Sequence, residues 1–217
     1  MTGEKLTSTT LTEKSKPKIA VLPIDSLKPH EKGSPLYLEI LKQEITRDNV
    51  LKYPIVADER TRVILDGMHR WLALKNLGYT LIPVMLVDAH QNPRIRVGKR
   101  RIHRYICASE EEIPIETVVS AGLSGNLMKT RSTRHFFPFS KFYQINYPLR
   151  RLKRDKPQDV SKYLEKMTLE DCKKAIKEWL EEMIEELDFL TKRKEEVEKE
   201  VGDFLSRVKG VNNFLSH

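Results

Sequence analysis

Cysteine is almost missing from this chain. Cys107 and Cys172 are the only two among 217 residues, and their separation matches no metal-ligand spacing. That excludes a disulfide framework and a Cys-based metal knuckle, and it fits a reducing cytoplasm. Long apolar runs are also missing. None approaches the ~20 residues that a membrane span needs, so no membrane partner is expected. Residues 1–17 are polar, rich in Thr and Lys, and lack the apolar core of a signal peptide. They read as a disordered arm. Gln is scarce while Lys and Glu are abundant, a bias found in thermophilic proteins. Neither a G-x-x-x-x-G-K-[ST] loop nor a protein-kinase Gly-rich loop is present, so the common phosphate cradles are excluded. No acidic cluster supports a two-metal nuclease.

What the chain does have is positive charge, unevenly spread. The formal net charge is +8. Residues 162–200 hold nine Lys/Arg against thirteen Asp/Glu, a net −4, which leaves +12 on the remainder. Two clusters carry much of it. One is Arg94, Arg96, Lys99, Arg100, Arg101 and Arg104. The other is Lys129, Arg131, Arg134, Lys141, Arg150, Arg151, Lys153 and Arg154. A basic body implies a polyanionic partner, a phosphorylated small ligand or a solvated basic face, and charge alone does not separate these.

Hydrophobic periodicity gives an α+β order of elements. Strands are expected at residues 19–24, 54–57, 62–65 and 82–87, with the second and third forming a hairpin. A short strand is expected at 95–97. Helices are expected from about 36 to 47, from His69 to a C-terminal glycine at Gly78, and from Glu110 to Ala121, where Gly122 and Gly125 break the pattern. Residues 126–142 show little regularity, but Phe136, Phe137 and Phe139 would anchor them to a core. Thr168 and Asp171 form a capping pattern for a long helix. Its stripe runs Leu169, Cys172, Ile176, Trp179, Met183, Leu187, Leu190, Val197, Val201, Phe204 and Val208, interrupted by Lys194. Such a helix is too long for a small domain to cover. It wraps the body, bends near residues 192–194, or pairs with a second copy, so the chain is a monomer or a homodimer through this helix. The organisation read from the sequence is an arm at 1–17, a domain at 18–105, a second lobe at 106–160 and a helical extension at 161–217.

Three segments hold residue types suited to phosphate chemistry. Asp66-Gly67-Met68-His69-Arg70 follows a strand and opens a helix, where unpaired backbone N–H groups and the helix dipole attract anions. Its His and Arg would repel that dipole, so they point to a bound anion rather than to helix stability. The bland alternative is a βα turn in which Asp66 caps the helix and Gly67 supplies the bend. Lys129-Thr130-Arg131-Ser132-Thr133-Arg134-His135 alternates cations with hydroxyls. Arg and Lys neutralise phosphate, and hydroxyls both donate and accept. The third segment is His30-Glu31, ahead of a Lys-Gly-Ser-Pro loop. A carboxylate beside bound phosphates can take the proton of an acceptor hydroxyl.

Leu22-Pro23-Ile24-Asp25-Ser26-Leu27-Lys28-Pro29, then Pro54-Ile55-Val56, then Asp66–Arg70 with Ala73 and Leu77-Gly78, then Pro83-Val84, resemble the ParB/sulfiredoxin-like domain over about residues 18–88. Met68 stands where sulfiredoxins carry their reactive Cys, which excludes that chemistry. ParB proteins bind CTP and DNA but continue into a helix-turn-helix, which this sequence does not show. With Lys28-Pro29-His30-Glu31 and Lys129–His135 added, the chain looks most like the archaeal free serine kinases. That resemblance implies an ATP- or ADP-dependent, Mg²⁺-assisted phosphorylation of free L-serine to O-phosphoserine, feeding cysteine synthesis. It implies a mixed-sheet nucleotide-binding domain with Glu31 as catalytic base. Asp66, Gly67, Met68, His69, Arg70, Lys129, Arg131, Arg134 and His135 would hold the nucleotide and its phosphates, with Asp66 also at Mg²⁺. Thr130, Ser132 and Thr133 would contact the substrate. Some relatives carry an aromatic residue near Lys99-Arg100, where this chain is basic. The competing reading is a ParB-class nucleotide-dependent DNA-binding protein. On the kinase reading the partners are serine and a nucleotide, and nucleic acid is not one of them.

Overall fold

The computed structural model describes residues 19–99, 112–139 and 143–215. The expected N-terminal arm, the boundary between the first domain and the second lobe, and Arg100, Arg101, Arg104 and Lys141 of the basic clusters lie outside them. Elements run β1 (Ile19–Pro23), α1 (Pro35–Asp48), β2 (Val50–Leu51), β3 (Ile55–Asp58), β4 (Ile64–Asp66), α2 (Met68–Asn76), β5 (Leu81–Val87), β6 (Arg96–Lys99), α3 (Ile115–Ser124), β7 (Thr133–Phe136), β8 (Tyr147–Pro148) and α4 (Leu169–Leu215).

The main sheet has the order β1-β5-β3-β4 and is mixed. β5 pairs antiparallel with β1 and parallel with β3, and β3 pairs antiparallel with β4. The continuous apolar run of β5 follows from its central position, where both faces are covered. Successive side chains go to opposite faces, as strand geometry requires. Ile55, Ala57, Ile64, Ile82 and Val84 join a core with Leu38 and Ile45 of α1 and Trp71, Leu72 and Leu74 of α2. Val56, Leu65 and Met85 join a second core with Val118 and Val119 of α3, Val97 of β6, and Phe137. The sheet is thus sandwiched between α1/α2 on one side and α3 with the β6–β7 ribbon on the other. The segments expected as a second lobe share these cores: Leu149, Leu152 and Val160 are buried in the first one.

Local chemistry sets the boundaries. Ser34 caps α1 by accepting the Tyr37 N–H, Pro35 occupies the first turn, and Asn49 closes the helix at φ 53°. Thr168 and Asp171 exchange hydrogen bonds at the start of α4 as the capping pattern predicts. Gly78 has φ +87° just past the end of α2.

Several expectations are corrected. Gly122 does not end α3 but lies buried within it, where a Cβ would meet Val63 at 2.8 Å, so glycine is there for close packing. α3 begins after Pro114, and Gly125 at φ +74° is its terminator. The expected irregular segment 126–142 contains a strand, β7, paired antiparallel with β6. Among the described residues a single α-helix, followed by two short 3-10 turns at Leu149–Arg151 and Ser161–Tyr163, lies between β6 and α4. α4 is one unbroken helix of 47 residues, about 70 Å at 1.5 Å per residue. Its residues 191–203 are exposed throughout, so that stretch is not covered by the body.

Candidate functional site

The three segments singled out in the sequence converge on one cleft of about 540 Å³. The first mechanism of convergence is backbone pairing. Lys28 N–H donates to Arg62 and Ile64 N–H to Lys28, which lays residues 28–31 along the edge of β4. Met128 N–H donates to His30, and Lys32 N–H donates to Met128, which lays residues 128–133 along the other side. His30 and Glu31 are therefore clamped between the two phosphate-type segments. Gly33 passes so close to Leu72 that any side chain there would collide with it.

Gly67 at φ +91° turns the chain from β4 into α2, and a Cβ there would meet Ile55 at 2.8 Å. Gly67, not Asp66, is the N-cap residue, and the Asp66 carboxylate instead pairs with Arg70 at 2.5 Å. Arg70 also donates to the Pro54 carbonyl at 2.8 Å. His69 Nε2 accepts the Ser34 backbone N–H at 2.8 Å, so the ring is neutral when that bond is made. Tyr37 packs edge-on against it at 4.7 Å. The expected repulsion between these two residues and the helix dipole is thus removed locally: one ring is uncharged and the guanidinium is paired. Burial pushes the Tyr37 hydroxyl's pKa up, opposed by the nearby Arg70 charge.

Glu31 sits at the centre. Its Oε2 lies 3.2 Å from the Thr133 hydroxyl and 3.9 Å from His30 Nε2. His30 is buried, with Nδ1 2.6 Å from the Ile64 carbonyl and Nε2 3.0 Å from the same Thr133 hydroxyl. Burial lowers its pKa to about 4, against the opposing pull of the Ile64 carbonyl and the Asp66 charge. Near neutral pH the ring therefore carries its hydrogen on Nδ1, and Nε2 is an acceptor. The Thr133 hydroxyl then has one hydrogen and two acceptors, His30 Nε2 and Glu31 Oε2.

The cation-hydroxyl segment divides. Thr130, Arg131, Thr133, Arg134 and His135 line the cleft, whereas Lys129 and Ser132 do not. Lys129 is exposed. The Thr130 hydroxyl is buried without a hydrogen-bond partner among the described residues, while its backbone N–H is held by Glu165 at 3.1 Å. Arg131, at φ +56°, donates to the Ala175 carbonyl of α4 at 2.8 Å and lies 3.9 Å from Glu182. His135 is buried in an aromatic row, 5.2 Å from His30 and stacked on Phe137 at 6.2 Å. Lys99 pairs with Thr133 across the ribbon, so the basic strand β6 backs the site without lining it.

Sequence reasoning missed part of the lining. Ser34, Tyr37, Leu41 and Glu44 come from the start and inner face of α1, and Tyr53 from the turn before β3. The Ser-Pro cap was a signal for where α1 begins, but nothing local marked Tyr37 as facing a ligand. Ala175, Ile176, Glu182 and Met183 of α4 also line the cleft. The tail therefore forms one of its walls.

Among the described residues no group of three or more His, Cys, Asp and Glu side chains could hold a metal by itself. A single carboxylate, Asp66, suffices for Mg²⁺ bound chiefly through phosphate oxygens and water.

No protein-family model matches the chain. The ATP-dependent L-serine kinase of Staphylothermus marinus is 33% identical over 72 residues, 31% of this chain and 29% of that protein. The enzyme of the same name from Desulfurococcus mucosus is 35% identical over 72 residues, 31% of this chain and 28% of that protein. A ParB-like protein of Sulfolobus acidocaldarius is 39% identical over 64 residues, 29% of this chain and 31% of its own length. Each match thus spans less than a third of the relative. Among solved structures, a free serine kinase in complex with AMP superimposes with a TM-score of 0.54 at 15% identity, over 64% of this chain and 95% of that one. A glutamate-to-alanine variant of free serine kinase in complex with ADP gives 0.53 at 15% identity, over 69% of this chain and 99% of that one. The fold, a mixed sheet between helices, is that of the solved free serine kinase. Over about a third of its length, the chain is similar in sequence to proteins named ATP-dependent L-serine kinase.

Proposed function

We propose that this protein transfers a phosphoryl group from ATP or ADP to the hydroxyl of free L-serine, yielding O-phosphoserine for cysteine synthesis. The observation that carries the reading is the position of Glu31, between the N-terminal turn of α2 and the Thr130–His135 segment, at the centre of a nucleotide-sized cleft.

Phosphoryl transfer asks for alignment and charge neutralisation, and little covalent chemistry from the protein. The first turn of α2 supplies backbone donors and a favourable dipole for the phosphates of the donor. Arg134 and Arg70 supply cationic charge, and the buried Thr130 hydroxyl supplies a polar contact for the substrate. Mg²⁺, held by the phosphates with Asp66 beside them, would neutralise further charge when bound. The serine oxygen attacks the terminal phosphorus, the bridging P–O bond breaks, and the shortened nucleotide leaves. The proton of the serine hydroxyl passes to Glu31.

The neighbours of Glu31 suit that step. With Glu31 ionised, Thr133 can satisfy only one of its two acceptors. Once Glu31 holds a proton, it donates to Thr133 and Thr133 donates to His30 Nε2, so every polar atom in the row is paired. The deciding experiment incubates the protein with Mg²⁺, free amino acids and either ATP or ADP, and assays for O-phosphoserine. Formation of phosphoserine with one donor is the expected result. No phosphorylated amino acid with either donor would overturn the reading.

A further inference from the structure

Beyond the cleft, α4 carries apolar residues that its own body leaves bare. Leu187 is 62% exposed, Ile184 59%, Val201 50% and Leu180 48%. Residues 191–203 are exposed throughout. The spacing is a heptad repeat. Leu180, Leu187, Lys194 and Val201 recur every seven residues, and Met183, Leu190 and Val197 follow three residues after the first three. Phe204 and Val208 continue the repeat in sequence. We propose that this face pairs with α4 of a second copy as an antiparallel two-stranded coiled coil, in the register that sets Lys194 opposite the partner's Val197.

The charges select that register. With Lys194 opposite the partner's Val197, Leu190 packs on the partner's Val201, and Ile184 lies beside the partner's Leu205 along one edge. Along the other edge, Arg193 meets the partner's Glu200, and symmetry supplies the same pair again. A shift of one heptad in one direction sets Arg193 against the partner's Arg193. A shift in the other sets Glu200 against the partner's Glu200. A parallel, in-register pair would stack Lys194 on the partner's Lys194. Like charges at such positions are unfavourable, so of these four arrangements the chosen antiparallel register is the one free of facing like charges at both seam and edge. Lys194 fits at its position because its ammonium reaches Glu198 at 3.6 Å on the same helix while its aliphatic stem lines the seam. In this arrangement the partner helix ends alongside Ile176 of α4, one of the residues that line the cleft.

The pairing does not depend on the kinase reading, and its test reads association rather than turnover. Sedimentation equilibrium on the full chain should show a dimer in the micromolar range. Arg193→Glu and Glu200→Arg should each weaken it by about tenfold, since two edge pairs turn repulsive in each case. The double variant Arg193→Glu/Glu200→Arg should restore wild-type association. A monomer throughout that range overturns the proposal. So does a dimer indifferent to either single change, or one that the double swap fails to rescue. Parallel pairing would give that last result, because Arg193 would then face the partner's Glu198. Circular dichroism of each variant confirms that the helix is retained.

Discussion

Glu31 gains its chemistry from a residue 102 positions away, the Thr133 hydroxyl that reaches its carboxylate. Glu31→Gln keeps the shape of that contact and removes the proposed base. Phosphoserine formation should fall by at least about a hundredfold, the lower end of what a positioned base contributes, while nucleotide affinity changes little. Turnover near the wild-type rate in a coupled assay would remove Glu31 from the base role. His30 makes a separate prediction, about stability. Its pKa is about 4 in the folded protein against 6.5 as the reference for an unfolded chain. Between those values the unfolded chain binds a proton that the native one does not, so stability falls as pH drops from 6.5 to 4. Above 6.5 the group has no effect, and below 4 the loss is complete, at up to about 3 kcal/mol. His30→Asn should flatten this part of the profile in urea titrations from pH 4 to 7, and an unchanged profile would assign the slope to other groups. The sequence pointed to Glu31 and Thr133 through their motifs, because cations, hydroxyls and a carboxylate are chemically conspicuous. It did not reveal the neutral His69 or the paired Arg70. Charge state depends on partners, here Ser34 and Asp66, that only folding supplies.

At the level of elements, hydrophobic periodicity located α1, α2, β5 and the start of α4, where pattern and propensity agree. It missed β7, whose Thr-Arg-His-Phe composition looks like a polar loop until β6 pairs with it. It also mistook Gly122 for a break, because the need for a small residue comes from Val63, distant in sequence. Two glycines separate the reasons a glycine is used. At Gly78, φ is +87° and a Cβ would collide with the Asp155 carbonyl. Gly78→Ala should therefore destabilise the fold by roughly 2 kcal/mol in chemical denaturation. Gly202 lies inside α4 with nothing within 4 Å of an added Cβ. Gly202→Ala should strengthen the helix by about 0.8 kcal/mol, read as slower amide exchange around residue 202. If the two substitutions had the same sign, the conformational argument would fail at one of them.

The molecule as a whole is a basic, sheet-centred body joined to an acidic helix far longer than the body can cover. Among the described residues, Cys172 is buried, Ala175, Ile176 and Met183 contribute to the cleft wall, and Arg131 reaches across to the Ala175 carbonyl and to Glu182. Arg131 holds a left-handed backbone conformation that costs a non-glycine residue energy, and its bond to α4 offsets that strain. Loss of the guanidinium should then release the first turns of α4 while the sheet stays intact. Arg131→Ala retains the strain and deletes the bond. In a Cys107→Ser background, the buried Cys172 thiol should react with a thiol reagent about tenfold faster or more, the consequence of losing a charged hydrogen bond of roughly 1.5 kcal/mol. Amide exchange should quicken over residues 172–183 and stay unchanged in β3 and β5. Uniform acceleration throughout the body would show global destabilisation instead, and no acceleration at all would mean that the apolar contacts of Cys172 and Ile176 hold α4 without Arg131. The comparison matters for the site because the same stretch of α4 supplies Glu182 and Met183 to the cleft. A variant with loosened α4 and unaltered β-sheet should show a raised KM with kcat reduced less, since a wall that confines substrate contributes to binding before it contributes to transfer.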